Sequence, residues 1–128
     1  MSRRGSVASG KKAEERACRY LEERGYRVVG RNIRAGRREI DIIARRDDTL
    51  VVVEVRSKRS HSPLLSSEIV GFGKRVSVAS AAREVIGGYR KPEDSVRFDV
   101  IIVTVDGTGR FAGLDHIENA FSAGGEII

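Results

Sequence analysis

Between Tyr26 and Ser57 the chain offers three β-prone segments in quick succession, Tyr26–Ile33, Glu39–Ala44 and Leu50–Ser57, parted by a turn at Gly36 and another at Asp47-Asp48. Connections this short favour an antiparallel meander, because parallel neighbours need a long crossover. The segments on either side have helical spacing instead. Upstream, Ala13, Ala17, Tyr20 and Leu21 recur as on one side of an amphipathic helix, predicted from Ala13 to about Arg24 with Gly25 as its stop. Downstream, a loop over Lys58–Ser67 contains Pro63 and several serines, and Ser66 or Ser67 can cap a second helix over Glu68–Ile86, ended by Gly87-Gly88. Two more strands, Val96–Val105 and Phe111–Ile117, flank the Asp106-Gly107 turn. The order αβββαββ describes an α/β fold with a mixed central sheet flanked by helices.

One domain accounts for all of this. The first dozen residues are small, polar and basic, so residues 1–12 are expected to form a flexible basic tail and residues 13–128 the single domain. No apolar run approaches the ~20 residues of a membrane helix, and no signal-peptide core follows the N-terminal arginines, which points to a cytoplasmic protein with no membrane partner. The lone Cys18 can form no internal disulfide, and His61 and His116 are too few and too scattered for a zinc site. The net charge of +6 is unevenly spread: residues 1–46 hold 14 basic and 6 acidic side chains, whereas residues 92–128 hold 2 and 7. Residues 47–91 hold 8 and 5, so a polyanion would meet mainly the first two-thirds of the chain.

Two carboxylates stand out within the strands. Glu54 interrupts the apolar run of VVVEVR, and an unpaired charge buried there would be costly. A salt bridge to a nearby arginine is the ordinary remedy for such an acid; a metal shared with Asp41 on the preceding strand is the other. Alternation predicts that Glu39, Asp41 and Ile43 point one way, with Ile40, Ile42 and Ala44 opposite, and that Val52, Glu54, Arg56 and Lys58 share a face. On the first helix, Glu14 lies on the side of Ala17, Cys18 and Leu21, while Glu15 turns away. On the second, Lys74 lies on the stripe with Val78, Ala81, Ala82 and Val85. A hard cation such as Mg²⁺ takes carboxylate oxygens and keeps waters for chemistry.

The segments AEERACRYLEERGYRVVGRNIR, REIDIIA, VVVEVRSKR, the lysine of GFGKRVSVASAAREVI, and RFDVIIVT followed by HIENAF resemble the YraN-like family of bacterial proteins. The resemblance runs from Ala13 to Phe121, and EIDxIA followed at this distance by VEV is its most specific part. That family is similar to the restriction-endonuclease-like superfamily, named for its PD-(D/E)XK pattern, and to archaeal Holliday junction resolvases. The resemblance implies an αβββαβ core with an extra C-terminal strand. It makes Asp41 and Glu54 metal-binding acids, with Glu14 completing the site, and places Glu39 and Lys74 at positions where family members usually carry these residues.

Two positions depart from the family pattern. Arg56 stands where a lysine is usual, and Arg38 where glycine usually precedes EID. A guanidinium can steady developing phosphorane charge but stays protonated, so it is a poor base. Lys58 or Lys74 could supply the ammonium instead. The activity implied is a Mg²⁺- or Mn²⁺-dependent endonuclease acting on duplex or branched DNA, with Glu14, Asp41, Glu54, Arg56 and Lys74 at the reaction centre. Arg31, Arg34, Arg37, Arg38, Lys58 and Arg59 would hold phosphates. Seven aromatic residues and no tryptophan make base stacking a weaker expectation than backbone recognition. Junction resolvases work as dimers, which raises a homodimer here, although no segment marks its surface. Two rivals remain: a nucleic-acid-binding protein of the same fold that has lost turnover through Arg56, and a structural domain in which Asp41 and Glu54 pair with Arg38 and Arg56.

Overall fold

In a computed structural model, which describes residues 2–60, 82, 83 and 85–120, with side chains from residue 10 onward, one helix lies against a five-stranded mixed sheet. The helix α1 spans Ser2–Glu23, and the strands are β1 (Arg27–Ala35), β2 (Arg38–Arg46), β3 (Thr49–Arg59), β4 (Ser95–Val105) and β5 (Phe111–Ile117). The sheet order is β1-β2-β3-β4-β5. Strands β1 to β3 form the expected antiparallel meander, β4 adds parallel to β3, and β5 returns antiparallel to β4. This is the mixed α/β arrangement of a restriction-endonuclease-like core. The helical backbone of α1 begins at Ser2, so residues 2–12, read from the sequence as a tail, are helical here. No proline interrupts them. Most of the predicted second helix, Lys74 included, lies outside the described residues; Ala82 and Arg83 are helical, and a 3-10 turn at Ile86–Gly88 closes the segment at the two glycines. Among the described residues no helix is long and apolar enough to cross a membrane.

Turn chemistry sets the meander. Gly36 has φ 63 in the tight β1–β2 turn, and Asp47 has φ 53 in the β2–β3 turn, a left-handed conformation that glycine adopts freely and aspartate tolerates. Alternation along β3 and β4 then divides the core in two. Val51, Val53, Ile101 and Val103 meet Ala13, Ala17, Cys18 and Leu21 of α1. Leu50, Val52, Phe98, Val100 and Ile102 form the opposite layer with Ala82, against which Val85, Ile86 and Tyr89 pack. Both faces of β3 are therefore covered, which explains why Leu50–Val53 is apolar without interruption.

The alternation fails at one place in the meander. In β2, Ile40 and Ile43 belong to the layer away from α1, while Ile42 and Ala44 belong to the α1 layer. The expected grouping of Ile40 with Ile42 is thus broken between Asp41 and Ile42. Its cause lies on β1, where Asn32, opposite Asp41, takes φ 50 between the pairs Arg31↔Ile42 and Ile33↔Ile40. A left-handed residue reverses side-chain direction, and its partner strand follows. A second irregularity lies between Val28 and Gly30. A Cβ at Gly30 would come within 2.6 Å of Ile33 Cδ1 and 3.1 Å of the Tyr89 hydroxyl. Gly30→Ala is expected to destabilise by about 1–3 kcal/mol through overpacking, read as a lower midpoint in urea unfolding.

Candidate metal centre

The reversal at Asn32 decides where the acids go. Glu39 and Asp41 are turned toward α1, where Glu14 extends from the flank of the buried stripe Ala13, Ala17, Cys18 and Leu21. The carboxylates of Glu14, Glu39 and Asp41 each present an oxygen within 4.8 Å of the others. Glu14 and Asp41 are half-buried and Glu39 is exposed. Asp41 is also tied to the sheet: its Oδ2 accepts a hydrogen bond from the Val55 N–H at 2.8 Å. That amide is available because β2 pairs with β3 only as far as Ile42↔Val53. Asp41 thus caps the point at which the two strands part, one residue from Glu54.

Burial, then the charge of Asp41, pushes the Glu14 carboxyl above its ordinary range; a hydrogen bond from the Asn32 side chain and the Arg31 guanidinium pull it back, and Glu39 adds to the rise. Like charges at such separations repel by about 1–4 kcal/mol per pair, depending on local screening. A proton or a cation relieves that repulsion. The donor set is entirely hard oxygen, which fits Mg²⁺ or Mn²⁺ and suits a soft metal poorly.

Glu54 takes a different position from the one expected. Val52 lies in the layer away from α1 and Val53 in the α1 layer, so Glu54 falls on the side opposite the Glu14 cluster. It is buried, and Arg56 Nε lies 3.4 Å from its Oε2. The salt bridge weighed as the ordinary remedy for this acid is therefore present. Glu54 and Arg56 share a face as predicted, and the three carboxylates brought together are Glu14, Asp41 and Glu39. Sequence reasoning placed Glu39 beside Asp41 but gave it no ligand role; Asn32 it did not single out.

The predicted phosphate-binding residues run from the middle of β1, at Arg31, toward one end of the sheet. Arg31 and Arg34 on β1, Arg37 in the turn and Arg38 at the start of β2 are all exposed. Because β2 runs antiparallel to β3, its start lies at the same end as Lys58 and Arg59, where Lys58 is half-buried and Arg59 exposed. That end also carries the acidic cluster. A second polar network was missed altogether. Asp99 of β4 is fully buried, accepts two hydrogen bonds from Arg97 at 2.8 Å, one from the Asn119 N–H at 3.0 Å, and lies 2.7 Å from His116 Nε2. His116 Nδ1 in turn lies 3.0 Å from the Tyr20 hydroxyl, which ties α1 to β5.

Comparison with known proteins agrees with the sequence resemblance. The profile of the uncharacterised protein family UPF0102 matches residues 13–103. The chain is 38% identical over 122 residues to a UPF0102 protein of Anaeromyxobacter dehalogenans, covering 94% of this chain and 89% of that one. It is 39% identical over 116 residues to a UPF0102 protein of Chlorobium phaeobacteroides, covering 88% and 92%. A UPF0102 protein of Myxococcus xanthus is 39% identical over 115 residues, 90% of each chain. With the matched span running from α1 into β4, and so including Glu14, Glu39, Asp41 and Glu54, the chain belongs to the uncharacterised protein family UPF0102, the YraN-like family.

Proposed function

We propose that this protein is a Mg²⁺- or Mn²⁺-dependent endonuclease acting on DNA phosphodiesters, with branched DNA such as a four-way junction as its candidate substrate. The observation that carries the reading is the convergence of Glu14, Glu39 and Asp41 at the sheet end that also bears Arg31, Arg34, Arg37, Arg38, Lys58 and Arg59. A divalent cation held by these acids would supply a lowered pKa of water and neutralisation of charge developing on the phosphate. The arginines hold the phosphodiester backbone beside the acids. Asp41 is oriented by the Val55 amide. Glu54 keeps a place through the family resemblance rather than through its contacts. Two symmetric cuts in a junction call for two active sites, so a homodimer is part of the proposal.

A second reading, a nucleic-acid-binding protein of this fold with impaired turnover, is favoured by Arg56. A guanidinium is a poor base, and that of Arg56 lies against Glu54 where the family usually has lysine. One assay separates the two. Purified protein is incubated with labelled duplex, single-stranded and four-way-junction DNA plus Mn²⁺, with a chelator control and Arg56→Lys beside the wild type. Cleavage that the chelator abolishes supports the enzyme, and a rate raised about a hundredfold or more in Arg56→Lys, the lower end of an acid–base contribution, would place the Arg56 face at the reaction centre. Binding without cleavage supports the second reading. Cleavage that survives the chelator overturns the metal-dependent mechanism.

A further inference from the structure

Strained backbone in a strand, away from any turn, needs a reason. Asn32 sits in the middle of β1 at φ 50, although both of its neighbours are in register with β2. Its effect is local: Ile33 goes to the layer away from α1, while Asp41 and Ile42, consecutive in β2, both turn toward α1. The Asn32 side chain is close enough to the Glu14 carboxyl of α1 to act on it as a hydrogen-bond partner. A carboxamide can donate to a carboxylate without adding charge, which none of the acids around it can do when ionised. Asn32 is itself exposed, so core packing does not account for its conformation.

Resting on the metal-centre reading above, we infer that Asn32 is a positioning residue for the acidic site: its left-handed backbone turns Asp41 to the α1 side, and its amide N–H holds Glu14 in place to meet it. Glu14 alone among the three acids comes from a separate element, so it most needs such a tie. Asn32→Gly separates the two contributions, because glycine adopts the left-handed backbone without steric cost and removes the amide. Mn²⁺ binding is measured calorimetrically on the wild type, Asn32→Gly, Glu14→Gln and the double variant, with thermal melting as the control for folding. Asn32→Gly is expected to weaken Mn²⁺ binding about tenfold, the lower end for groups that orient a ligand. In the Glu14→Gln background it is expected to have no further effect, since the amide acts through Glu14.

Unchanged binding in Asn32→Gly, or effects that multiply in the double variant, overturns the inference while leaving the metal centre standing. A wild type that takes up no Mn²⁺ overturns both. Should Asn32→Gly fail to fold, the side-chain amide resonances of Asn32 are compared between wild type and Glu14→Gln; an unmoved pair overturns the inference.

Discussion

Under the proposed endonuclease function, Asp41→Asn is expected to lower metal-dependent DNA cleavage by about 10²–10³-fold, the usual cost of removing one group that stabilises charge at a reaction centre. The fold should survive. The Asp41 carboxylate serves the Val55 amide as well as the acidic cluster, and the amide oxygen of asparagine can still accept from Val55 N–H while the charge is gone. Asp41→Ala removes both contributions and is expected to cost a further ~1–3 kcal/mol of stability, because it strips the acceptor from a backbone N–H at the strand junction. Single-turnover cleavage and thermal melting of the two variants check this together. An Asp41→Asn protein that cuts at the wild-type rate would sink the site assignment.

The largest effect on stability is expected at Asp99, which belongs to a hydrogen-bond network that does not include the acidic cluster. Asp99→Ala leaves Arg97, whose side chain is 20% exposed, and His116, at 6%, facing an emptied position. Breaking a buried charge network by removing one partner costs about 3–5 kcal/mol, or roughly 10–20 °C in melting temperature for a domain of this size. The wild type should also show a specific pH dependence. Burial by itself would raise the Asp99 carboxyl, but hydrogen bonds from His116, Arg97 and the Asn119 amide outweigh it and hold the group below its usual value of 3.8. The sign follows from that direction: stability from Asp99 is fully present above about pH 4 and is lost as pH falls through the lower folded-state value. Melting curves between pH 2 and 7 should fall more steeply at the acid end for the wild type than for Asp99→Ala. Parallel curves would show that another carboxylate governs acid unfolding.

Much of the fold was legible because each element announces itself locally. Gly36 and Asp47-Asp48 mark the meander turns, and the uninterrupted Leu50–Val53 run marks a strand covered on both faces. Glu14 was selected over Glu15 by helix angle alone, and it is Glu14 that joins Asp41 and Glu39. The rule that failed was strand parity, which assumes extended backbone at every residue. Asn32 breaks that assumption, and although asparagine is among the few non-glycine residues that take positive φ readily, nothing local distinguishes it from any other exposed strand asparagine. That single dihedral separates the Glu14 cluster from the Glu54–Arg56 pair, which a regular meander would have put on one face with Asp41. Asp99 was readable by the argument applied to Glu54, since RFDVII also sets a carboxylate in an apolar run. Its partners were not, because His116 reaches it only through the β4–β5 register and Tyr20 only through the packing of α1.

The parallel pairing of β3 with β4, from Thr49↔Ser95 to Arg59↔Val105, bears on the order in which the molecule assembles. Contacts between α1 and the first three strands join neighbours in sequence, whereas β4 can dock only after the long stretch between them has been closed into a loop, an entropic cost that slows non-local pairing. The three carboxylates of the cluster all lie within the first 41 residues. As the chain leaves the ribosome they are therefore available before the strand that joins the meander in parallel, and a cation bound early would favour the meander while β4 is still being made.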